Sequence, residues 1–254
     1  MKILVIASGS TGNCTYIETP QTRILLDAGI SSRRIQAALH AHGASLESLD
    51  AILISHAHHD HVSALPQICA KYRIPLWASR GTLGAIAGLV SPGYPVNVIK
   101  GEELALNDIG IHALPVPHDC VEPLAFVFEQ RQKFYGHFTD LGYVPDMLTP
   151  YFERLDALTL ESNYDPWMLR HGPYPRYLQT RIEGKTGHLS NPAALETVKL
   201  HTRLKLKYLV LGHLSQKNNT PAKVLDTFLP LKSARAQMKM AIARPDKPLP
   251  IMDL

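Results

Sequence analysis

The chain has 254 residues, of which 45% are hydrophobic and 19% charged, and its formal net charge is +4. That length and apolar share suffice for a substantial core, and one domain over residues 1–254 is expected. No apolar run approaches the roughly 18–20 residues of a spanning helix, and three cysteines without a Cys-x-x-Cys pair argue against a disulfide framework and for a reducing cytoplasm. The opening Met1-Lys2-Ile3-Leu4-Val5-Ile6 reads as a strand, not as a secretory leader. In chain order, strands are predicted over Met1–Ser8, Cys14–Glu18 and Arg23–Asp27, the first two joined by the glycine-bearing turn Ser8–Asn13. Ser31 or Ser32 caps a helix running to His42, with Gly43 beyond it and Ile35, Ala38 and Leu39 at helical spacing. The continuous apolar run Ala51–Ser55 reads as a strand buried on both faces. A helix over Val62–Tyr72, a strand at Pro75–Ala78 and a helix at Thr82–Leu89 follow. Strands are predicted at Val96–Ile99, Glu103–Leu106, Ile109–Val116, Leu124–Gln130 and Lys133–Phe138. Helix, strand and helix come next at Val144–Arg154, Ala157–Leu160 and Asn191–Thr202, then a strand at Lys207–Leu211 and a helix over Pro221–Leu231. No internal repeat or linker is visible. Two mixed β-rich halves with helices outside imply an α/β four-layer αββα sandwich.

Thirteen histidines are present, four of them inside His56-Ala57-His58-His59-Asp60-His61, which follows the buried strand directly. A strand end delivers side chains to a fixed place, and the loop after it lets them converge. The pattern H-x-H-x-D-H supplies three imidazoles and a carboxylate. Imidazole suits zinc, iron and manganese, and a carboxylate can hold a second ion. The plain alternative is a solvated histidine-rich loop.

H-x-H-x-D-H after an apolar strand resembles the metallo-β-lactamase superfamily, and the match extends along nearly the whole chain. Asp27 ends a strand like that family's early structural aspartate. His118, Asp140 and His213 each follow a strand where the family places, in order, a histidine ligand, a metal-bridging aspartate and a last histidine. The stretches Ser8–Asn13, Glu161-Ser162-Asn163, Gly187-His188-Leu189-Ser190-Asn191 and Gly212-His213-Leu214-Ser215 resemble the YycJ/WalJ branch, which is associated with DNA exonuclease activity. The resemblance implies a metallo-β-lactamase-like sandwich holding two divalent ions (Zn, Mn or Fe). His56, His58 and His118 would hold one, Asp60, His61 and His213 the other, and Asp140 would bridge them. It implies a hydrolase in which a hydroxide shared by the ions attacks a phosphodiester, a DNA substrate, a 5′-to-3′ direction and a repair role. Asp60 would also orient the hydroxide. His58 argues against flavodiiron redox use, where a glutamate is expected. Class B lactamases usually differ at the last position of the cluster and lack a bridging aspartate like Asp140. Only 72 residues lie between Asp140 and His213, too few for an inserted β-CASP cap, and no long arm like that of ribonuclease Z is visible.

His188 resembles the histidine of ribonuclease Z's His-Ser-Thr motif, and Glu161 its supporting acid. A histidine there can touch the scissile phosphate and protonate the leaving oxygen, with Glu161 favouring its charged form. Two alternatives stand: Ser190 or Asn191 merely caps a helix beside an incidental His188, or His188 replaces His213 as the last ligand. In Tyr164–Lys185, Trp167, Tyr174 and Tyr177 alternate with Arg170, Arg176, Arg181 and Lys185. Aromatics stack on bases and cations meet phosphates, so this segment is the candidate substrate contact. Its alternative is a solvated loop with aromatics packed underneath. Ser10 and Asn13 are expected to line the metal pocket. Two readings compete with the DNA exonuclease: a small-molecule hydrolase acting on a cyclic phosphodiester, thioester or lactone, and a non-catalytic binding module, against which the full ligand set argues. Protein partners are left open, and no membrane contact is expected.

Overall fold

The early strands alternate in two directions at once, and this dictates where they can lie. In the computed structural model, which describes residues 1–254, Ile3 and Val5 of β1 (Lys2–Ala7) point into one core while Leu4 and Ile6 point into another. A strand buried on both faces must sit between a second sheet and a layer of helices. β2 (Cys14–Glu18), β3 (Arg23–Leu26) and β4 (Ala51–Leu53) divide in the same way: Ile24, Leu26, Ala51 and Leu53 join the first core, and Tyr16, Leu25 and Ile52 the second. Helix α1 (Ser32–His40) covers this outer face with Ile35, Ala38 and Leu39. The helix predicted over Val62–Tyr72 is α3 (Leu65–Lys71), with Pro66 inside its first turn, and a separate single turn, α2 (His59–Val62), forms within the histidine cluster itself. β5 (Leu76–Ala78), α4 (Arg80–Ala85) and β6 (Val96–Val98) complete this half.

The second sheet begins with β7 (Glu103–Leu106), β8 (Ile109–Pro115), β9 (Leu124–Gln130) and β10 (Lys133–Phe138). After α5 (Thr149–Phe152) comes β11 (Ala157–Glu161). Two helices, α6 (Pro166–His171) and α7 (Arg176–Glu183), then precede α8 (Asn191–His201), β12 (Tyr208–Gly212), α9 (Pro221–Ala234), β13 (Lys239–Ile242) and β14 (Met252–Asp253). The strand orders are β14-β1-β2-β3-β4-β5-β6 and β13-β12-β11-β10-β9-β8-β7. Ile111, Phe126, Phe128, Tyr135 and Val210 of the second sheet meet Ile3, Val5, Ile24 and Leu26 of the first. Its other face carries Phe152, Val198 and Phe228 from α5, α8 and α9. The layers therefore run helix, sheet, sheet, helix, as two β-rich halves with helices outside implied. No helix is long and apolar enough to cross a membrane.

The differences from the sequence reading have identifiable causes. The helix expected over Val144–Arg154 shrinks to a 3-10 turn at Asp146–Leu148 and the single α-helical turn of α5, because Pro145 and Pro150 lack the backbone donors a longer helix needs. α6 and α7 were not predicted from a segment punctuated by Pro166, Gly172, Pro173 and Pro175. There Pro166 opens α6 behind an Asp165 cap, and Pro175 directly precedes α7. β13 and β14 are edge strands, and β14 pairs through Lys2↔Asp253 and Ile3↔Met252; both exist through their partners rather than through a pattern of their own.

Candidate metal centre and cleft

Parallel strands bring their carboxyl ends to one edge, and both sheets contribute parallel strands: β3, β4 and β5 in the first, β10, β11 and β12 in the second. Asp27 follows β3, His56 follows β4, Asp140 follows β10, Glu161 ends β11 and His213 follows β12. Three of these, Asp27, Asp140 and His213, have positive φ of 58°, 60° and 53°. A non-glycine residue in that region costs on the order of 1–3 kcal/mol and persists only where its surroundings impose it. The other four such residues, Asn107, Glu122, Arg131 and Gln132, lie in turns between strands. The first sheet's His-rich loop is drawn in over Gly29, where a Cβ would sit 1.6 Å from the Asp60 carbonyl oxygen. Glycine is required for that approach.

Seven side chains converge. His56 Nε2 lies 3.1 Å from His58 Nδ1, which lies 3.2 Å from His118 Nε2. His213 Nε2 lies 3.3 Å and His61 Nε2 3.6 Å from Asp60 Oδ2. Asp140 joins the sets, with Oδ1 3.7 Å from His118 Nε2 and 3.4 Å from His213 Nε2, and Oδ2 3.4 Å from His61 Nε2.

Each ring is aimed by a partner on its outward nitrogen. His61 Nδ1 donates to Asp27 Oδ2 at 2.8 Å, and His118 Nδ1 to the Gly187 carbonyl at 3.2 Å. His213 Nδ1 donates to Glu161 Oε1 at 2.8 Å, His56 Nδ1 meets Ser55 Oγ at 3.0 Å, and His58 Nε2 faces Asp119 Oδ1 at 3.8 Å. Outer partners of this kind orient metal-binding imidazoles. Asp27 is itself held by the Ser55 amide at 2.8 Å.

The donor set fits divalent cations. Imidazole nitrogens and carboxylates are ligands of zinc, manganese and iron. Three ring nitrogens turned on one another repel unless a cation or proton lies between them. Asp140 Oδ2 is buried with no hydrogen-bond partner, an orphan that a cation would satisfy. The electrostatics divide the rings. Burial and neighbouring histidines push His56 well below its ordinary pKa, and burial also lowers His118, which favours in both the neutral ring, the form of imidazole that can bind a metal. Burial opposes charge on His61, but Asp27 and Asp140 overcome it and raise its pKa to about 10; Asp140, Asp60 and Glu161 likewise hold His213 well above its usual value. A cation at that pair takes the place of protons, so its binding releases them.

Glu161 is fully buried and accepts four hydrogen bonds. They come from His188 Nδ1 at 2.7 Å, His213 Nδ1 at 2.8 Å, and the amides of Leu141 and Leu189 at 3.2 and 3.1 Å. Burial alone raises its pKa, yet the two histidines hold it at about 2, and Glu161 in turn raises His188. The expected Glu161–His188 pair is therefore in hydrogen-bond contact, and both histidines share one carboxylate oxygen.

A cleft of about 360 Å³ opens over these groups, lined by Ser10, Asp119, Tyr174, Leu178, Arg181 and Ile182 beside His58, Asp60, His118, Asp140, His188 and His213. Of the expected substrate contacts, Ser10 and Arg181 lie on it. Asn13 is buried beneath, donating to Asp60 Oδ2 at 3.1 Å and contacting His61 Nε2 at 3.0 Å. Asn13 therefore positions the cluster from below. Arg170 pairs with Glu183 at 3.0 Å, Arg176 donates to Gln179 at 3.2 Å, and neither they nor Lys185 line the cleft.

Two contributors escaped the sequence reading. Asp119 touches His58, His118 and Arg181; its one signal was adjacency to His118. Asn219 ties three loops together, donating to the Ser162 carbonyl at 2.9 Å, the Asn163 carbonyl at 3.0 Å and Asn191 Oδ1 at 2.9 Å. Nothing in the sequence separates it from a turn residue.

Residues 22–214 match the model of the beta-lactamase superfamily domain. The chain belongs to the metallo-β-lactamase superfamily. Within it, the chain is 35% identical over 223 residues to exodeoxyribonuclease WalJ of Streptococcus pneumoniae, covering 86% of this chain and 83% of that protein. It is 33% identical over 220 residues to exodeoxyribonuclease YycJ of Bacillus anthracis, covering 85% and 83%. The fold superposes on zinc-bound PqqB from Methylobacterium extorquens with a TM-score of 0.75 at 16% identity, covering both chains completely. The superfamily carries the fold and the metal-dependent hydrolase chemistry.

Proposed function

We propose that this metal-dependent hydrolase is an exodeoxyribonuclease with two divalent ions, zinc, manganese or iron, held over residues 1–254 acting as one domain. His56, His58 and His118 would hold one ion, Asp60, His61 and His213 the other, and Asp140 would serve both. The observation that carries the metal assignment is Asp140, whose two oxygens reach histidines of both sets. When bound, two such ions supply Lewis acidity toward a phosphate oxygen and an acidified water as nucleophile. The protein's own groups do the rest. Asp60, on the cleft floor, orients the attacking water. His188 lines the cleft, and Glu161, accepting from its Nδ1, raises its pKa and favours the charged ring. In this reading the charged ring gives its proton to the departing oxygen as the P–O bond breaks. His213, tied by Nδ1 to the same Glu161 oxygen, turns Nε2 toward Asp60 and Asp140.

DNA as substrate is supported by the likeness to the two exodeoxyribonucleases over most of the length of each chain. Degradation from the 5′ end and a role in repair are the finer parts of the same reading. The test is digestion of 5′- and 3′-labelled duplex and single-stranded DNA, with Mn²⁺ and Zn²⁺ supplied separately. Mononucleotide release that consumes the 5′ end first is the expected result. Inertness toward all four substrates, with turnover of a small cyclic phosphodiester, thioester or lactone, would replace this reading with the small-molecule one.

A further inference from the structure

Helix α7 forms one wall of the cleft. Leu178, Arg181 and Ile182, at helical spacing, line the opening, with Tyr174 just before the helix beside them. Leu178 and Ile182 also pack beneath the helix with Tyr164 and Leu169. Tyr177 takes no part in that packing, and 76% of its surface is exposed. It lies one helical turn before Arg181 and therefore on the same side of the helix. The Arg181 side chain is 59% exposed, and its Nε and one terminal nitrogen engage Asp119 Oδ2. A guanidinium has five N–H donors in a planar fork, so Asp119 aims the group while leaving donors free. The hairpin Tyr164–Lys185 carries Arg170, Arg176, Arg181 and Lys185 against Asp165 and Glu183, four positive charges to two negative. Trp167, the other exposed ring of the hairpin, already stacks on His171 at a centroid distance of 4.5 Å.

We infer that α7 is the strand-binding rail of this enzyme: a nucleobase outside the cleft stacks on Tyr177, and a neighbouring backbone phosphate is taken by Arg181 under the aim of Asp119. The inference rests on the DNA reading above. The occupant is an unpaired strand end. A ring exposed at a cleft lip offers a face only to a base free of its partner. The cleft, at about 360 Å³, lies near the lower end of the roughly 300–1,000 Å³ typical of small-ligand sites. A duplex therefore engages only once its end is unpaired. Stacking on an exposed ring is indifferent to base identity, which suits an enzyme that must step along any sequence.

The test is a cycle between protein and substrate. Single abasic nucleotides are placed in turn at the first six positions from each end of a single-stranded oligonucleotide, and kcat/KM is measured for each. Wild type should show one position where the missing base costs about 5–150-fold, the worth of one stacked base. In Tyr177→Ala that penalty should vanish, and in Tyr177→Phe it should persist. A neutral methylphosphonate at the adjacent linkage should be similarly silent in Arg181→Gln but not in wild type. Metal content of each variant, by elemental analysis, should match wild type. Abasic penalties equal in wild type and Tyr177→Ala at every position would overturn the inference while leaving the exonuclease intact. Wild type that fails on every DNA substrate would instead sink the reading on which it rests.

Discussion

The two halves of this molecule use one strand plan and build different things from it. The chain β1-β2-β3-β4 pairs antiparallel twice and then parallel, and β8-β9-β10-β11 does the same. In both, the third strand runs into an aspartate of positive φ, Asp27 at 58° and Asp140 at 60°. In the first half that aspartate lies behind the site and braces His61, while one loop, His56–His61, carries four of the seven inward-facing groups. In the second half it reaches the cluster itself, and the remaining groups arrive singly from separate strand ends. One half is a prefabricated cluster; the other is assembled by the sheet. Mutations should therefore act locally in the first and through loop placement in the second.

The strongest way to break that contrast is Asp140→Ala. Loss of the carboxylate shared by both sets should abolish turnover and lower retention of both ions, read by elemental analysis after gel filtration. Full occupancy in the variant would show that Asp140 does not join the sets. Next is His188→Ala. Removing a positioned acid should reduce turnover roughly 10²–10⁴-fold with both ions kept; loss of one ion would make His188 the last ligand in place of His213. The matching test in the first half is Asp27→Asn. The amide presents an N–H to His61 Nδ1 and forces the ring proton inward, so metal affinity should fall by roughly 10–100-fold, measured by competition with a chelator. An unchanged affinity would mean the first half does not need its brace. The smallest effect is expected from Arg170→Ala, which removes an exposed pair with Glu183 worth at most about 1 kcal/mol. Digestion rate and melting temperature should barely move, and a large drop in kcat/KM would place substrate along α6 as well as α7.

The contrast also marks what could be read from residues alone. The His56–His61 loop announces itself because its candidate ligands are crowded into six residues, and the continuous apolar run at β4 announces a strand buried on both faces. His118, Asp140 and His213 are each one histidine or aspartate after a strand, unremarkable until order and family likeness are considered. Asn13 illustrates the limit: it was expected on the pocket wall, yet it is buried beneath Asp60, because Gly29 lets the two loops approach. The hairpin α6–α7 hid behind prolines that begin helices as readily as they end them.

What the amino-acid sequence determined by itself was local and periodic: which runs are strands, which faces are apolar, and that one loop concentrates metal-binding groups. These depend on neighbours two to four residues away, a range the sequence records directly. Only the tertiary structure decided that Glu161 serves two histidines from different loops, that Asp119 links His58 to Arg181, and that Asn219 ties three loops together. Those contacts join residues 27 to 62 positions apart. Their distances are set by how two sheets pack, and nothing in a local pattern encodes that packing.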